Sequence, residues 1–285
     1  MKRVVLCPNP YKDRGLKVTR QAMSMLGNAG FEVKLCPEFM DEDVPVDLTG
    51  LEVSELYDVV DGASLVVSFG GDGTIMHTAR RLIGHRVPIL GVNLGTVGFL
   101  TELESQDLSR VITAADGNYM PSPRMMLKVE LERNGRVIFS DYALNDAAVH
   151  GISQTMRLVA SGDGRKITEY SGDGLVVSTP TGSTAYSMSA GGPLVEPTAE
   201  NIILTPICAH ALAARSFVLT PNRVITVNVG CPRARRAMLS VDGGSFEVID
   251  GDVLRVRKSG HQTMFAHVSS KDYYDILYEK LGDRK

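Results

Sequence analysis

The chain has 285 residues, 30 Lys plus Arg against 33 Asp plus Glu, and a formal charge of -3. A near-neutral chain offers no global basic field for a phosphate backbone, which excludes a dedicated nucleic-acid binder, and 44% hydrophobic with 22% charged residues is the mix of a folded globular protein. The 28 glycines are the anomaly, roughly a tenth of the chain against a typical ~7%, and they cluster.

In chain order, Val4 to Cys7 is a buried-strand pattern. Residues 14–29 then place Leu16, Ala22, Met23, Met25 and Leu26 mostly on one helical face, closed by Gly27, Asn28 and Gly30. Phe31 to Leu35 reads as a second strand, and Ser64 to Phe69 as a third, ended by Gly70-Gly71. Residues 74–83 read as a helix, and Pro88 to Val92 as a fourth strand. Strands alternating with helices pair in parallel through right-handed crossovers, so residues 1–120 are expected to form an α/β domain with an open, doubly wound sheet.

From about Pro121 the period becomes two. Asn134-Gly135 supplies a hairpin turn, and strand-like runs follow at 157–160, 174–178, 216–219, 224–229, 237–241, 253–257 and 263–268. Residues 121–267 are therefore expected to be an all-β, sandwich-like domain. Lys271 to Leu281 has near-helical apolar spacing, and a tail of residues 268–285 is expected to fold back on the first domain.

Cys7, Cys36, Cys208 and Cys231 form no CxxC pair, so they read as buried thiols in a reducing cytosol. The N-terminal apolar run is too short for a signal peptide. The longest uncharged stretch, Gly174 to Val195, is too rich in Ser, Thr, Gly and Pro to span a membrane. These readings give a cytoplasmic protein that is not membrane-bound.

Four features carry chemistry. Gly70-Gly71-Asp72-Gly73-Thr74 ends an apolar strand and opens a helix, so Gly70, Gly71, Gly73 and Thr74 are candidates to hold phosphate with backbone amides at a helix N-terminus. A carboxylate in such a loop would repel phosphate unless it had a job. Asp72 is therefore a candidate to accept a proton from a hydroxyl or to help hold Mg²⁺. The bland alternative is a tight turn with a capping Asp. The second feature, residues 91–100, follows the next strand and carries Phe99 as an apolar surface for a base. The third, Asn145-Asp146, pairs an amide with a carboxylate that can read ribose hydroxyls or an adenine edge, although a turn reads equally well. The fourth, residues 171–193, runs from a strand into small hydroxyl residues and a short helix. Neither GxxxxGK[ST] nor a GxGxxG after a strand is present.

In this order the features resemble the NAD kinase family. GGDGT alone is shared with lipid kinases, whereas Asp173 to Pro193 (DGLVVSTPTGSTAYSMSAGGP) is far more specific. The resemblance implies phosphoryl transfer from ATP, or from polyphosphate, to the 2′-hydroxyl of the NAD adenosine ribose. It implies Asp72 as the catalytic proton acceptor, and NAD contacts from Asp72, Gly73, His77, Phe99, Asn145, Asp146, Asp173, Thr184, Ala185, Tyr186 and Ser189. It further implies a divalent metal, Mg²⁺, with ligands the sequence does not name, and a homodimer or homotetramer. Two departures stand out: the second motif is Asn-Asp where the family has Asn-Glu, and Gly244 stands where many members have Gln. The competing readings are a lipid kinase sharing GGDGT and a non-catalytic dinucleotide sensor.

Overall fold

The computed structural model describes residues 1–40, 46–96, 98–152, 155–211, 214–230 and 236–282. The chain divides into two units, residues 1–123 with 263–285, and residues 124–262. Cys231, Arg233 and Arg235 lie outside the described residues, as does Val97 within the second glycine-rich run.

The first unit begins with β1 (Arg3–Pro8), α1 (Lys17–Asn28), β2 (Glu32–Leu35) and the single turn α2 (Leu56–Val59). It continues through β3 (Ala63–Gly70), α3 (Asp72–Arg81), β4 (Ile89–Asn93), the two-residue β5 (Leu103–Glu104) and α4 (Arg110–Ala115). The strands run parallel in the order β2-β1-β3-β4. All of β4 is buried, and so are the last six residues of β3 and five of the six in β1. That is why they read as unbroken apolar runs, as parallel strands covered on both faces do. Thr19, Ala22 and Leu26 of α1 and Val111, Ala114 and Ala115 of α4 are buried, and the apolar ones join Leu6, Val67, Phe69, Leu90 and Val92 in one core. The chain leaves β1 for β2 on one side and β3 for β4 on the other. Their carboxyl ends therefore form a topological switch point, the place where open α/β sheets bind ligands.

The second unit opens with the hairpin β6 (Met120–Arg133) and β7 (Arg136–Ala143), whose turn residues Asn134 and Gly135 have φ of 51° and 72° as expected for the primed turn of Asn-Gly. Then come β8 (Asp146–Gly151), β9 (Met156–Gly162), β10 (Arg165–Gly172), β11 (Gly174–Ser178) and the one-turn α5 (Tyr186–Ser189). The unit ends with β12 (Ile202–Ile207), β13 (Phe217–Leu219), β14 (Ile225–Gly230), β15 (Ala237–Val241), β16 (Gly244–Val248) and the first part of β17 (Val253–His267), whose last residues, from Thr263 on, belong to the first unit. One antiparallel sheet runs β13-β12-β11-β8-β15-β16. Strands β10, β9, β14 and the first part of β17 line up in a second, with β6 and β7. Val129, Val149, Leu158, Val177, Leu204, Val227, Leu239 and Leu254 share one core between the sheets, a β-sandwich.

Two expectations need correction. The runs 253–257 and 263–268 are one strand, β17, because the backbone stays extended through Gly260, His261 and Gln262 although these are exposed and break the alternation. Cys208 is exposed, so only Cys7 and Cys36 of the described cysteines are buried thiols. Burial pushes the Cys36 thiol up to about 12, where it is inert. The tail forms α6 (Tyr273–Leu281), opened by a capping box between Asp272 and Asp275, and it belongs to the first unit. Among the described residues no helix is long and apolar enough to cross a membrane.

Candidate active site

In the first unit, β3 ends at Gly70 and α3 starts at Asp72 with Gly71 as its N-cap. The amides of Thr74 and Ile75 both donate to Gly71 O, at 2.9 and 3.1 Å, so they are spent on the helix. Thr74 is also buried, and its hydroxyl lies 3.1 Å from Asn9 Nδ2, which ties the end of β1 to the loop. The loop amides left to face a ligand are those ahead of Thr74, at the positive end of the helix dipole. Gly71 is half-buried and Gly73 is exposed.

Asp72 turns its carboxylate toward the second glycine-rich segment. Oδ2 accepts from Phe99 N at 2.8 Å and Oδ1 from Leu100 N at 2.9 Å. A Cβ on Gly98 would lie 2.0 Å from Asp72 Oδ1. The absence of a side chain at Gly98 is therefore what lets the carboxylate reach these amides. Lys280, from α6, brings its Nζ to 3.9 Å from Asp72 Oδ2 and 4.2 Å from the centroid of the Phe99 ring.

Behind Asp72, α3 is fixed by a buried carboxylate. Glu38 is 1% exposed, and its Oε2 lies 2.9 Å from Arg81 Nη1 and 2.8 Å from His77 Nδ1. The His77 approach is a close pairing of polar atoms outside hydrogen-bond alignment. The ring of Phe39 lies 4.4 Å from that of His77. His77 is thus half-exposed and held in place.

In the second unit, the 171–193 run and the Asn145-Asp146 corner meet. Thr179 N donates to Asn145 O at 2.8 Å, and Thr179 Oγ1 donates to Leu144 O at 2.6 Å and accepts from Gly182 N at 3.0 Å. A Cβ on Gly182 would lie 2.1 Å from Asn145 O. Asp242 closes the corner from the other side, accepting from the amides of Leu144, Asn145 and Asp146 at 2.6, 3.0 and 3.1 Å. Asp146 opens β8 and is 8% exposed. Burial, with the nearby Asp242 carboxylate adding like-charge repulsion, pushes its carboxyl up to about 7. Tyr186 stands close by: burial first, then Asp146, Cys208 and Asp173, raise its phenol above the ordinary value. Thr184 and Ala185 are half-buried, while Asp173, Tyr186 and Ser189 are exposed and able to meet a ligand. A cavity of about 420 Å³ opens at the end of the same run, lined among others by Ala190, Gly191, Pro206, Cys208 and Arg215.

Sequence reasoning did not single out Gly98, Gly182, Glu38, Asp242 or Lys280. Gly98 and Gly182 sit in recognised glycine-rich runs, so their density was the available signal. Glu38 and Lys280 had none, because nothing local says that they meet α3. Among the described residues no group of three or more His, Cys, Asp or Glu side chains is placed to hold a metal ion.

Residues 4–116 match the family described as the ATP-NAD kinase N-terminal domain, and residues 120–268 its C-terminal domain. An NAD kinase of Acetivibrio thermocellus is 38% identical, covering all of this chain and 98% of its own. One from Caldanaerobacter subterraneus subsp. tengcongensis is 37% identical over the whole of both chains. Among solved structures, yeast NADH kinase complexed with NADH matches with a TM-score of 0.86 at 26% identity, over 100% of this chain and 89% of that one. An NAD kinase from Archaeoglobus fulgidus in complex with ATP matches with a TM-score of 0.73 at 26% identity, over 98% of each chain.

Proposed function

The chain belongs to the ATP-NAD kinase family and is a phosphotransferase acting on NAD, and we propose that Asp72 is the residue on which its chemistry turns. The observation that carries this reading is the fixed carboxylate of Asp72, at the carboxyl end of a central parallel strand, held by the amides of Phe99 and Leu100. Each carboxylate oxygen keeps a lone pair beyond its amide bond, so one is left for a hydroxyl.

The 2′-hydroxyl of the adenosine ribose donates to Asp72. As the ribose oxygen bonds to the γ-phosphorus of ATP, the bond to the ADP oxygen breaks and the hydroxyl proton passes to Asp72. Transfer of this kind runs through a loose transition state, so positioning and charge supply most of the catalysis. The amides of Gly71 to Gly73, with the helix dipole behind them, supply part of that charge. Mg²⁺, the divalent metal the family resemblance implies, is read as arriving with the donor phosphates, since a hard cation that keeps its waters needs few protein ligands. ATP as donor and NAD as acceptor are supported by the ATP and NADH complexes of the two structural relatives.

The NAD-reading residues are Gly73, His77 and Phe99 in the first unit, and Asn145, Asp146, Asp173, Thr184, Ala185, Tyr186 and Ser189 in the second. Asp146, poised near pH 7 by burial, both donates to and accepts from ribose hydroxyls, which offsets its missing methylene. The family resemblance also supports a cytoplasmic homodimer or homotetramer.

The test is Asp72→Asn, which keeps the shape and removes the base. NADP formation from Mg-ATP and NAD falls about 10²–10⁴-fold, while 2′-deoxy-NAD gives no product with either enzyme. Unchanged turnover of the variant would sink the assignment.

A further inference from the structure

We propose that Lys280, near the end of the C-terminal helix, is a phosphate-contacting catalytic residue of this reaction. Its ammonium takes up the negative charge of the phosphoryl group as that group passes to the hydroxyl held by Asp72. The inference rests on the reading of Asp72 as proton acceptor.

Three observations support it. First, the Lys280 charge is close to the reacting carboxylate but not spent on it. Nζ stops 3.9 Å from Asp72 Oδ2, beyond hydrogen-bond reach, and that carboxylate is already served by two backbone amides. Second, the ammonium is held for use. It sits 4.2 Å over the Phe99 ring and its side chain is 23% exposed, so the ring face attracts it and part of its water is removed. Third, the segment that delivers it is built onto the same loop that holds Asp72. Just after Phe99 and Leu100, Glu102 accepts from the amides of Val268 (at 2.7 Å) and Ser269, and lies 3.0 Å from His267 Nδ1. Arg110 adds a bond to Val268 O at 3.3 Å. Helix α6 then starts on its Asp272–Asp275 capping box and buries no residue of its own. Tyr273, Ile276, Leu277 and Lys280 are its half-buried residues.

The distances fit the reaction. A proton acceptor lies within about 3 Å of its hydroxyl, and the attacked phosphorus within about 3–3.5 Å of that oxygen. A cation already 3.9 Å from Asp72 needs a small swing of its flexible stem to meet the phosphoryl oxygens. With no metal cage among the described residues, cations and amides carry the protein's share of the charge. Arg81, on α3, is engaged by Glu38. The proton released by the hydroxyl goes to Asp72.

The experiment is steady-state NADP formation with Lys280→Met and Lys280→Arg, each compared with wild type by circular dichroism. Met keeps the stem over Phe99 and removes the charge. The expected result is a kcat about 10–100-fold lower for Lys280→Met, below the ~10²–10³-fold of a fully enclosed oxyanion donor, with KM for NAD changed less than about threefold. Lys280→Arg recovers most of the loss. An unchanged kcat in Lys280→Met, or an effect confined to KM, overturns the proposal. So does an Arg variant as slow as Met, which assigns the loss to helix docking and not to charge. Asp72→Asn run alongside separates the two readings. A slow Asp72→Asn with a fast Lys280→Met defeats this inference alone, and a fast Asp72→Asn defeats the reading beneath it.

Discussion

Asp72 and Asp146 are the same residue placed beside glycine-rich runs in two different units, and their surroundings are opposite. Asp72 is offered two backbone amides and a nearby ammonium. Asp146 is buried next to a second carboxylate, and its proton affinity rises accordingly. The backbone around a carboxylate decides what it does. A helix N-terminus and a loop of amides make Asp72 an acceptor with a fixed direction. A strand start behind Asp242, which has taken the local amides for itself, leaves Asp146 able to hold a proton near neutrality.

Two glycines break this comparison in different ways. A Cβ at Gly182 meets the main chain of Asn145, its O at 2.1 Å and its C at 2.5 Å, and main chain cannot swing aside. Gly182→Ala is expected to lower unfolding free energy in urea by about 3 kcal/mol, with NAD affinity lost together with stability. At Gly98 the atoms met are side-chain ends, Asp72 Oδ1 and Thr101 Oγ1. Gly98→Ala therefore moves the proposed base, Asp72, without breaking the sheet: kcat falls about 100-fold, as for a ~1 Å misplacement, while the unfolding midpoint barely changes. If Gly98→Ala loses stability and keeps its turnover, the contrast between the two sites is wrong.

The smallest effect sharpens the Asp146 side. Its folded value of about 7 lies above the ordinary 3.8, so between those values the folded state holds a proton that the unfolded chain has released. The stability it contributes is full below about pH 4 and is lost as pH rises through about 7. Asn does not titrate. Asp146→Asn should match wild type most closely near pH 4, gain on it up to pH 7 and hold its lead above. From pH 5 to 8.5 the lead should grow by roughly 3 kcal/mol, a span set by the shifted carboxyl, while the amide's own partners add only a constant offset. Urea unfolding at pH 5, 7 and 8.5 measures it, and a difference that does not change with pH refutes the raised carboxyl.

Much of this protein was legible in its sequence because the signals are local. Buried parallel strands announce themselves as apolar runs, Asn134-Gly135 as a hairpin, and Gly70 to Thr74 as a strand-to-helix turn. Strand β8 was not read as a strand, with only its first residue noted in the Asn145-Asp146 pair, and β17 was read as two strands, because pairing with neighbours rather than local pattern keeps those backbones extended.

The sequence by itself determined the order of elements, the two-part architecture and the residue types gathered at each glycine-rich run. Periodicity, turn chemistry and glycine density are properties of neighbouring residues, and a single chain displays them directly. Tertiary structure alone decided which distant groups surround those runs: Glu38 behind α3, Asp242 under Asn145, Glu102 anchoring the tail, and Lys280 beside Asp72. These partners are joined through space across long stretches of chain. Hydrogen bonding and Coulomb interaction depend on distance in space, which sequence separation does not reveal.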